Sequence, residues 1–395
     1  MKIVRLHEKK VFCILLMLEP VLRLYGIGIG GTFGDYALII IAACIAIKRD
    51  DFFVLKNSRD YIELAPFMFY LLANFLITYH EDISFSNQFI DWIRVFFIYF
   101  IFVTGIKKYF DFEIAYKCYA LFSIMATLLL IIQYVFSISA GIYISGKFTP
   151  LYLGDSLKEV DNFKLYGVTF FRPSSFFQEP AHYATYVLGY FALLCTRKIN
   201  TQRIFIMAFI AMGILLSGST TGLIVLVFIV IVWIAIYLHN IKKLRYYILL
   251  VLIVGVALYY VSQTDSFIYM ISRITSNSGS SISSTAAFRS RFLWLNNLKL
   301  FDSPIRFLFG TGTCSDVLSE WVPGWILFLN SFGVVGLIFY LGAFIYLFVN
   351  SSKEGKILFL IFWGLGAGTE VIVDQNMFLY LPYAMIAKNI RYRDR

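Results

Sequence analysis

Residues 170 to 183, Phe170-Phe171-Arg172-Pro173-Ser174-Ser175-Phe176-Phe177-Gln178-Glu179-Pro180-Ala181-His182-Tyr183, set an arginine, a carboxylate and an imidazole among aromatics. The rest of the chain reads as lipid-soluble, so this polar island has the make-up of a reaction site at a bilayer surface. Glu179-Pro180 reads as a helix start, because proline at the first helical position lacks only an amide hydrogen that has no partner there. Three-and-four spacing then puts Glu179, His182, Tyr183 and Tyr186 on one face, where they could line one cavity. A helix N-terminus favours a nearby anion, either Glu179 itself or a phosphate. A capped helix with aromatic anchors at the interface accounts for the same residues, and this segment alone does not choose between the two readings.

What must position these groups is a membrane bundle. Hydrophobic residues make up 59% of the chain and charged ones 15%, and the mean hydropathy is +0.76, well outside the range of soluble domains. Apolar runs of a length suited to a hydrocarbon core about 30 Å thick recur throughout. They predict twelve spans, at 11–27, 34–47, 61–79, 89–105, 114–138, 181–196, 203–217, 220–238, 244–262, 325–349, 356–373 and 376–387. Lipid leaves no backbone group free to go unpaired, and the runs are continuous rather than alternating, so the fold class expected is an all-α polytopic membrane protein. Residues 1–395 read as one integral membrane domain.

Lysine and arginine mark the cytoplasmic side. With the N-terminus inside, the seven inner segments carry 22 of the 34 basic residues, and nine lie in outer segments. Arg23, Arg94 and Lys117 fall within spans. The pattern predicts both termini in the cytoplasm and makes the net charge of +10 mostly a matter of topology. A nucleic-acid partner would need basic residues gathered on one soluble face, and they are not. The N-terminal stretch lacks a small-residue cleavage site and reads as a retained first helix. Four of the five cysteines lie in or beside spans, so no disulfide framework is indicated.

All nine outer basic residues fall in two long outer loops, 139–180 and 263–324, which is where function is expected. In the second, residues 286–301 form an amphipathic pattern with Phe288, Phe292, Leu295 and Leu298 on one stripe. Arg289 and Arg291 are about 200° apart on a helix, so one of them faces any given cavity. Within the spans, Glu19 with Arg23 and Asp91 with Arg94 have the spacing of internal ion pairs. Glu370 and Asp374 follow a glycine-rich stretch at an outer helix end and could border the cavity of Glu179. The Ser217–Gly222 turn reads as a packing corner or a sugar contact.

Several of these motifs, in order, resemble the bacterial O-antigen polymerase (Wzy) family within the polymerase and ligase superfamily. The matching stretches are Arg172 to Ala184, Leu215 to Gly222, Arg289 to Trp294, Pro304 followed by Gly310-Thr311-Gly312, and Asn330 to Gly336, together covering roughly residues 114 to 350. The resemblance implies a C-type glycosyltransferase in the bacterial inner membrane, with its active site on the periplasmic face. Its donor and acceptor would be oligosaccharide repeat units on undecaprenyl pyrophosphate, released from the donor as the glycosidic bond forms. It also implies a chain-length regulator and a flippase as partner proteins. Superfamily ligases often carry a histidine shortly before the Asn330 region; this chain has Val322-Pro323 there and no histidine after His239, which weighs against the ligase alternative. A flippase or other transporter, the second alternative, would place charges along the helices and repeat-related halves, which this sequence does not.

That chemistry needs guanidinium groups on a diphosphate leaving group. Arg172 and one of Arg289 or Arg291 are the candidates. It also needs a base for the acceptor hydroxyl, with Glu179 the first choice and His182 the second. No grouping of His, Cys and carboxylates has metal-ligand spacing, so neither a metal nor a cofactor is expected.

Overall fold

The computed structural model describes residues 2–26, 32–47, 62–78, 85–151, 162–165, 168–197, 200–237, 255, 259, 299–313, 324–366, 372 and 375–386. The chain is a helical, polytopic membrane protein that divides into two compact units. The first comprises residues 1–23, 28–115 and 290–395, and the second residues 24–27 and 116–289.

In the first unit, α1 (Lys2–Leu22), α2 (Phe33–Ile47), α3 (Ala65–Ile77), α4 (Phe85–Thr104) and the single turn α5 (Ile106–Tyr109) precede the start of α6 (Phe112–Ala140). Polar side chains mark the helix starts. Thr32 and Asp35 exchange capping hydrogen bonds at the start of α2, and the Asp111 carboxylate accepts from the Glu113 and Ile114 amides at 3.1 and 3.2 Å to open α6. Later in the chain come α10 (Pro304–Phe309), α11 (Gly324–Asn350), α12 (Lys353–Leu365) and α13 (Leu381–Ile386). Phe67, Tyr99, Phe328, Phe332 and Tyr340 pack ring on ring in the core, with Tyr99 4.8 Å and the other three 5.7 Å from the Phe67 ring.

Asp91 and Arg94 pair at 3.3 Å as their spacing predicts, but the closer partner of Arg94 comes from another helix. Its guanidinium grips Asp35 bidentately, Nε to Oδ1 at 2.6 Å and Nη2 to Oδ2 at 3.0 Å, tying α4 to α2.

The second unit holds most of α6, a hairpin of β1 (Asn162–Leu165) and β2 (Val168–Phe171), then α7 (Pro180–Thr196), α8 (Thr201–Leu216) and α9 (Thr220–Tyr237). Along α6, Leu121, Met125, Leu128, Ile132 and Val135 are exposed while Tyr119, Ser123, Ala126, Thr127, Leu130 and Gln133 are buried, the two-faced pattern of a helix with lipid on one side and protein on the other.

Helices α4, α6 and α11 are long and apolar enough to cross a membrane, and α2, α3, α8 and α9 are shorter apolar helices. Most of the predicted spans coincide with these helices; the one at 244–262 lies outside the described residues, apart from Gly255 and Tyr259. Three expectations are corrected. The stretch 139–180, expected as a loop, contains a short antiparallel hairpin, with Asn162 opposite Phe171 and Leu165 opposite Val168, within the otherwise helical described fold. The predicted span 356–373 ends as a helix at Leu365, where Gly366 caps it. The predicted span 376–387 is a 3-10 turn (Gln375–Leu379) followed by the six residues of α13, with Pro382 inside its first turn. In the second long loop, residues 299–302, which close the expected amphipathic helix, form a 3-10 turn, and 286–298 lie outside the described residues.

Helix α11 is broken at Gly333 (φ 60, ψ −170). The carbonyls exposed by the break are taken up by the segment after α10 and by α3: the Thr311 amide donates to Asn330 O at 2.7 Å, the Gly312 amide to Ser331 O at 3.1 Å, and the Tyr70 hydroxyl to Phe332 O. Such a break is tolerated at membrane depth only when protein groups satisfy the freed backbone. A Cβ at 333 would stand 2.4 Å from Leu308 O and 2.6 Å from Gly310 N, in a backbone region that side chains avoid. Gly333→Ala is therefore expected to cost about 1–3 kcal/mol, whereas Gly364→Ala, with nothing within 4 Å of the added carbon, should be neutral. Thermal unfolding in detergent checks both, and equal melting temperatures for the two variants would refute the account of the break.

Candidate functional site

The second unit gathers the 172–183 segment. Arg172 follows β2 directly and is 7% exposed, and its Nη2 donates to the Gly218 carbonyl at 3.0 Å. Gly218 belongs to the turn between α8 and α9, so two stretches that sequence reading treated separately, Arg172 to Tyr183 and Ser217 to Gly222, meet here. The turn is built from its own hydroxyls. Ser217 Oγ donates to Ile214 O at 2.7 Å and accepts from the Ser219 amide at 3.2 Å, and Ser219 Oγ accepts from the Gly222 amide at 3.1 Å to start α9. Both serines are buried, so the turn is a packing corner whose outward carbonyl holds the guanidinium.

The stretch after Arg172 is clamped from α6. Gln133 accepts from the Ser175 amide at 2.8 Å and donates to Ser175 O and Ile144 O, each at 3.0 Å. One side-chain amide thereby replaces water for three backbone groups, two buried at Ser175 and one half-buried at Ile144. Ser175 is held in the left-handed region (φ 58), an unusual conformation for a residue with a side chain. The Phe177 amide closes a turn onto Ser174 O at 3.0 Å, and the Phe177 ring packs 5.0 Å from that of Tyr186.

A second cation joins the segment from upstream. Lys147 is 8% exposed and its Nζ reaches Gln178 O at 3.4 Å. Sequence reading counted Lys147 only as an outer-loop charge. The signal that could have found it is weak, since a loop lysine is ordinarily solvated and only tertiary packing buries this one.

Glu179 stands at the N-cap of α7 with extended backbone (φ −137, ψ 155), and Pro180 opens the helix. Its side chain makes no cap hydrogen bond and is exposed, as is His182 one turn on, whose amide donates to Glu179 O at 3.1 Å. The next residues on the expected face are placed differently. Tyr183 and Tyr186 are fully buried; the Tyr183 hydroxyl lies 2.9 Å from Thr127 Oγ1, and the Tyr186 ring meets Tyr119 edge-on at 5.3 Å. The face thus divides by depth: its first turn projects from the bundle while its second packs against α6. Arg289, Arg291, Glu370 and Asp374 lie outside the described residues.

Among the described residues, no three His, Cys, Asp or Glu side chains form a group that could hold a metal ion. The described cysteines, Cys13, Cys44, Cys118 and Cys195, are free thiols. The assembled groups are a buried guanidinium, a buried ammonium, and an exposed carboxylate and imidazole at a helix start. Together they can stabilise a developing anion and take a proton from a hydroxyl.

Comparison with curated proteins gives no match. The family model described as WcaD colanic acid polymerase matches residues 29–285, a stretch that includes the whole Arg172 to His182 segment and the Ser217–Gly222 turn. The chain belongs to this family of Wzy-type polysaccharide polymerases.

Proposed function

We propose that the chain joins oligosaccharide repeat units carried on undecaprenyl pyrophosphate at the periplasmic face of the bacterial inner membrane, with the 172–182 segment as its reaction centre. The burial of the Arg172 guanidinium against the Gly218 carbonyl is the observation that carries this reading. A guanidinium held in place beside the α8–α9 turn is a planar fork of donors that matches phosphate oxygens. A diphosphate leaving group suits such a cation, and family membership supports a lipid-linked glycan as its source.

In this reading the acceptor hydroxyl oxygen attacks the anomeric carbon of the donor glycan. The bond from that carbon to the pyrophosphate oxygen breaks, and its electron pair leaves with the diphosphate. Arg172 and Lys147 stabilise the charge that accumulates there, and Arg289 or Arg291 adds a further guanidinium. Glu179 takes the hydroxyl proton. Its exposed N-cap position suits a base that must meet a large, incoming sugar, and the amide-rich start of α7 favours a negative group beside it. His182 orients the acceptor or the carboxylate. No resident metal or cofactor enters the scheme. The accompanying topology is polytopic with both termini in the cytoplasm, and the partners are a chain-length regulator and a flippase.

Two outcomes test the site. Arg172→Ala, and also Arg172→Lys, which lacks the planar fork of donors, should each lower polymer formation by about 10²-fold or more. Membrane levels should be normal and the surface glycan should collapse to a single repeat unit; wild-type chain lengths from Arg172→Ala would refute the assignment. Glu179→Gln should likewise abolish elongation while Lys147→Met lowers it about tenfold, measured as turnover of purified lipid-linked repeat unit. Full turnover by Glu179→Gln would move the base elsewhere.

A further inference from the structure

The first unit contains a polar cleft that the reaction scheme does not use. It is lined by Asn74 and Phe75 of α3, Thr78, Gln88 and Trp92 of α4, and Thr311-Gly312-Thr313 after α10. These side chains carry no formal charge. Asn74 and Gln88 are 1% and 4% exposed, so the amides are set into the protein and do not belong to a solvated surface.

The hydrogen bonds around the cleft fix which atoms are left over. Asn74 Nδ2 donates to Phe309 O at 2.6 Å, which settles the orientation of its amide, since the reverse would set two oxygens face to face. Asn330 Nδ2 donates to Thr311 Oγ1 at 2.8 Å while that hydroxyl donates to Asn330 O at 3.1 Å, so the second amide is oriented in the same way. Asn74 Oδ1 and Asn330 Oδ1 are both buried and accept no hydrogen bond. Of the two residues, Asn74 lines the cleft, and a buried carbonyl oxygen left in this state is costly, so the cleft asks for a donor.

That requirement is selective. A phosphate dianion supplies only acceptors and would be repelled by amide oxygens, and a cation would find no carboxylate among the described lining residues. A neutral hydroxyl satisfies the site. The free space is about 10 Å³, room for one hydroxyl-sized group and no more. A sugar ring would therefore sit at the mouth, against Thr313, and send a single hydroxyl inward. The walls are held by hydrogen bonds of their own: Trp92 Nε1 donates to Leu71 O at 2.8 Å, and Thr78 Oγ1 to Asn74 O at 2.7 Å. In the orientation proposed above, the end of α3, the start of α4 and the 263–324 loop all lie at the outer side of the membrane, where a flipped glycan is presented.

We propose that this cleft is a hydroxyl socket for a sugar of the lipid-linked glycan, with Asn74 Oδ1 as the acceptor of the incoming hydroxyl. Naming the glycan as ligand rests on the polymerase reading. A buried water has the same donor chemistry, and the experiment separates the two sources.

The test uses full-length protein in nanodiscs and two probes: the lipid-linked repeat unit purified from a polymerase-deletion strain of the source bacterium, for turnover, and the same repeat unit freed of its carrier, for equilibrium binding by native mass spectrometry. Thr313→Phe fills the mouth without touching the Asn74 and Asn330 bonds, and Thr313→Val keeps its shape. Thr313→Phe should raise KM and weaken oligosaccharide binding about tenfold, the worth of one hydrogen bond to a buried group, with Thr313→Val within twofold of wild type. Wild-type KM and affinity in Thr313→Phe would overturn the proposal and leave the cleft to a structural water. Should that variant not fold, the near-isosteric Gln88→Leu carries the same expectation and the same refutation. If the wild type binds oligosaccharide in a Thr313-dependent way but does not polymerise, the socket stands and the polymerase reading falls; if it polymerises with no dependence on position 313 or 88, the reverse holds.

Discussion

Lipid offers no hydrogen bonds, and several irregular pieces of the described backbone are shaped by that constraint. At these places a polar side chain from another segment takes the place of water. Gln133 does so for Ile144 and Ser175, Tyr70 and Asn74 do so for Phe309 and Phe332, and Arg172 does so for Gly218. Several buried polar residues of the described helices thus serve discontinuities in the chain, while a face such as that of Leu121, Met125, Leu128, Ile132 and Val135 on α6 stays apolar and exposed. The site inherits its rigidity from this arrangement. A loop fastened at Ser175 from one side and at Arg172 from the other cannot drift, and the start of α7 is positioned with it.

The same logic separates the two kinds of chemistry in the molecule. Around the 172–182 segment the buried side chains include the cations Arg172 and Lys147, which suit phosphate oxygens. The cleft between α3 and α4 is neutral and leaves an acceptor over, which suits hydroxyls.

Much of this architecture is legible in the amino-acid order, because an apolar run of suitable length has one stable fate in a bilayer. Helices α2, α4, α6, α8, α9 and α11 begin and end within a few residues of their expected limits, helped by explicit caps such as Asn200 before α8, whose side chain accepts from the Arg203 amide at 2.8 Å. The hairpin was not legible, since Asn162–Leu165 and Val168–Phe171 are only four residues each and carry no strong turn signal of the Asn-Gly kind. The end of the chain was overextended because hydropathy does not register Gly366 and Pro382 as breaks. Arg172 could be singled out as a cation surrounded by aromatics; its partner Gly218 could not, for a Ser-Gly-Ser turn has the same composition whether it packs or binds. Lys147 and the Asn74 cleft depend on contacts between segments far apart in the chain, 31 residues for Lys147 with Gln178 and 235 for Asn74 with Phe309. Helical periodicity, which is local, carries no trace of them.

The fork between Arg94 and Asp35 has a bearing on how the protein is made. Its two halves are 59 residues apart, on α2 and α4, so the aspartate leaves the ribosome well before the arginine that neutralises it. Until then Thr32 alone shields the carboxylate, through its amide and hydroxyl at 2.8 and 2.9 Å. Helices α2 to α4 must accordingly settle into the bilayer as a group, with the insertion machinery or the aqueous edge sheltering the early charge, and this ties biogenesis of the first unit to the order of its translation.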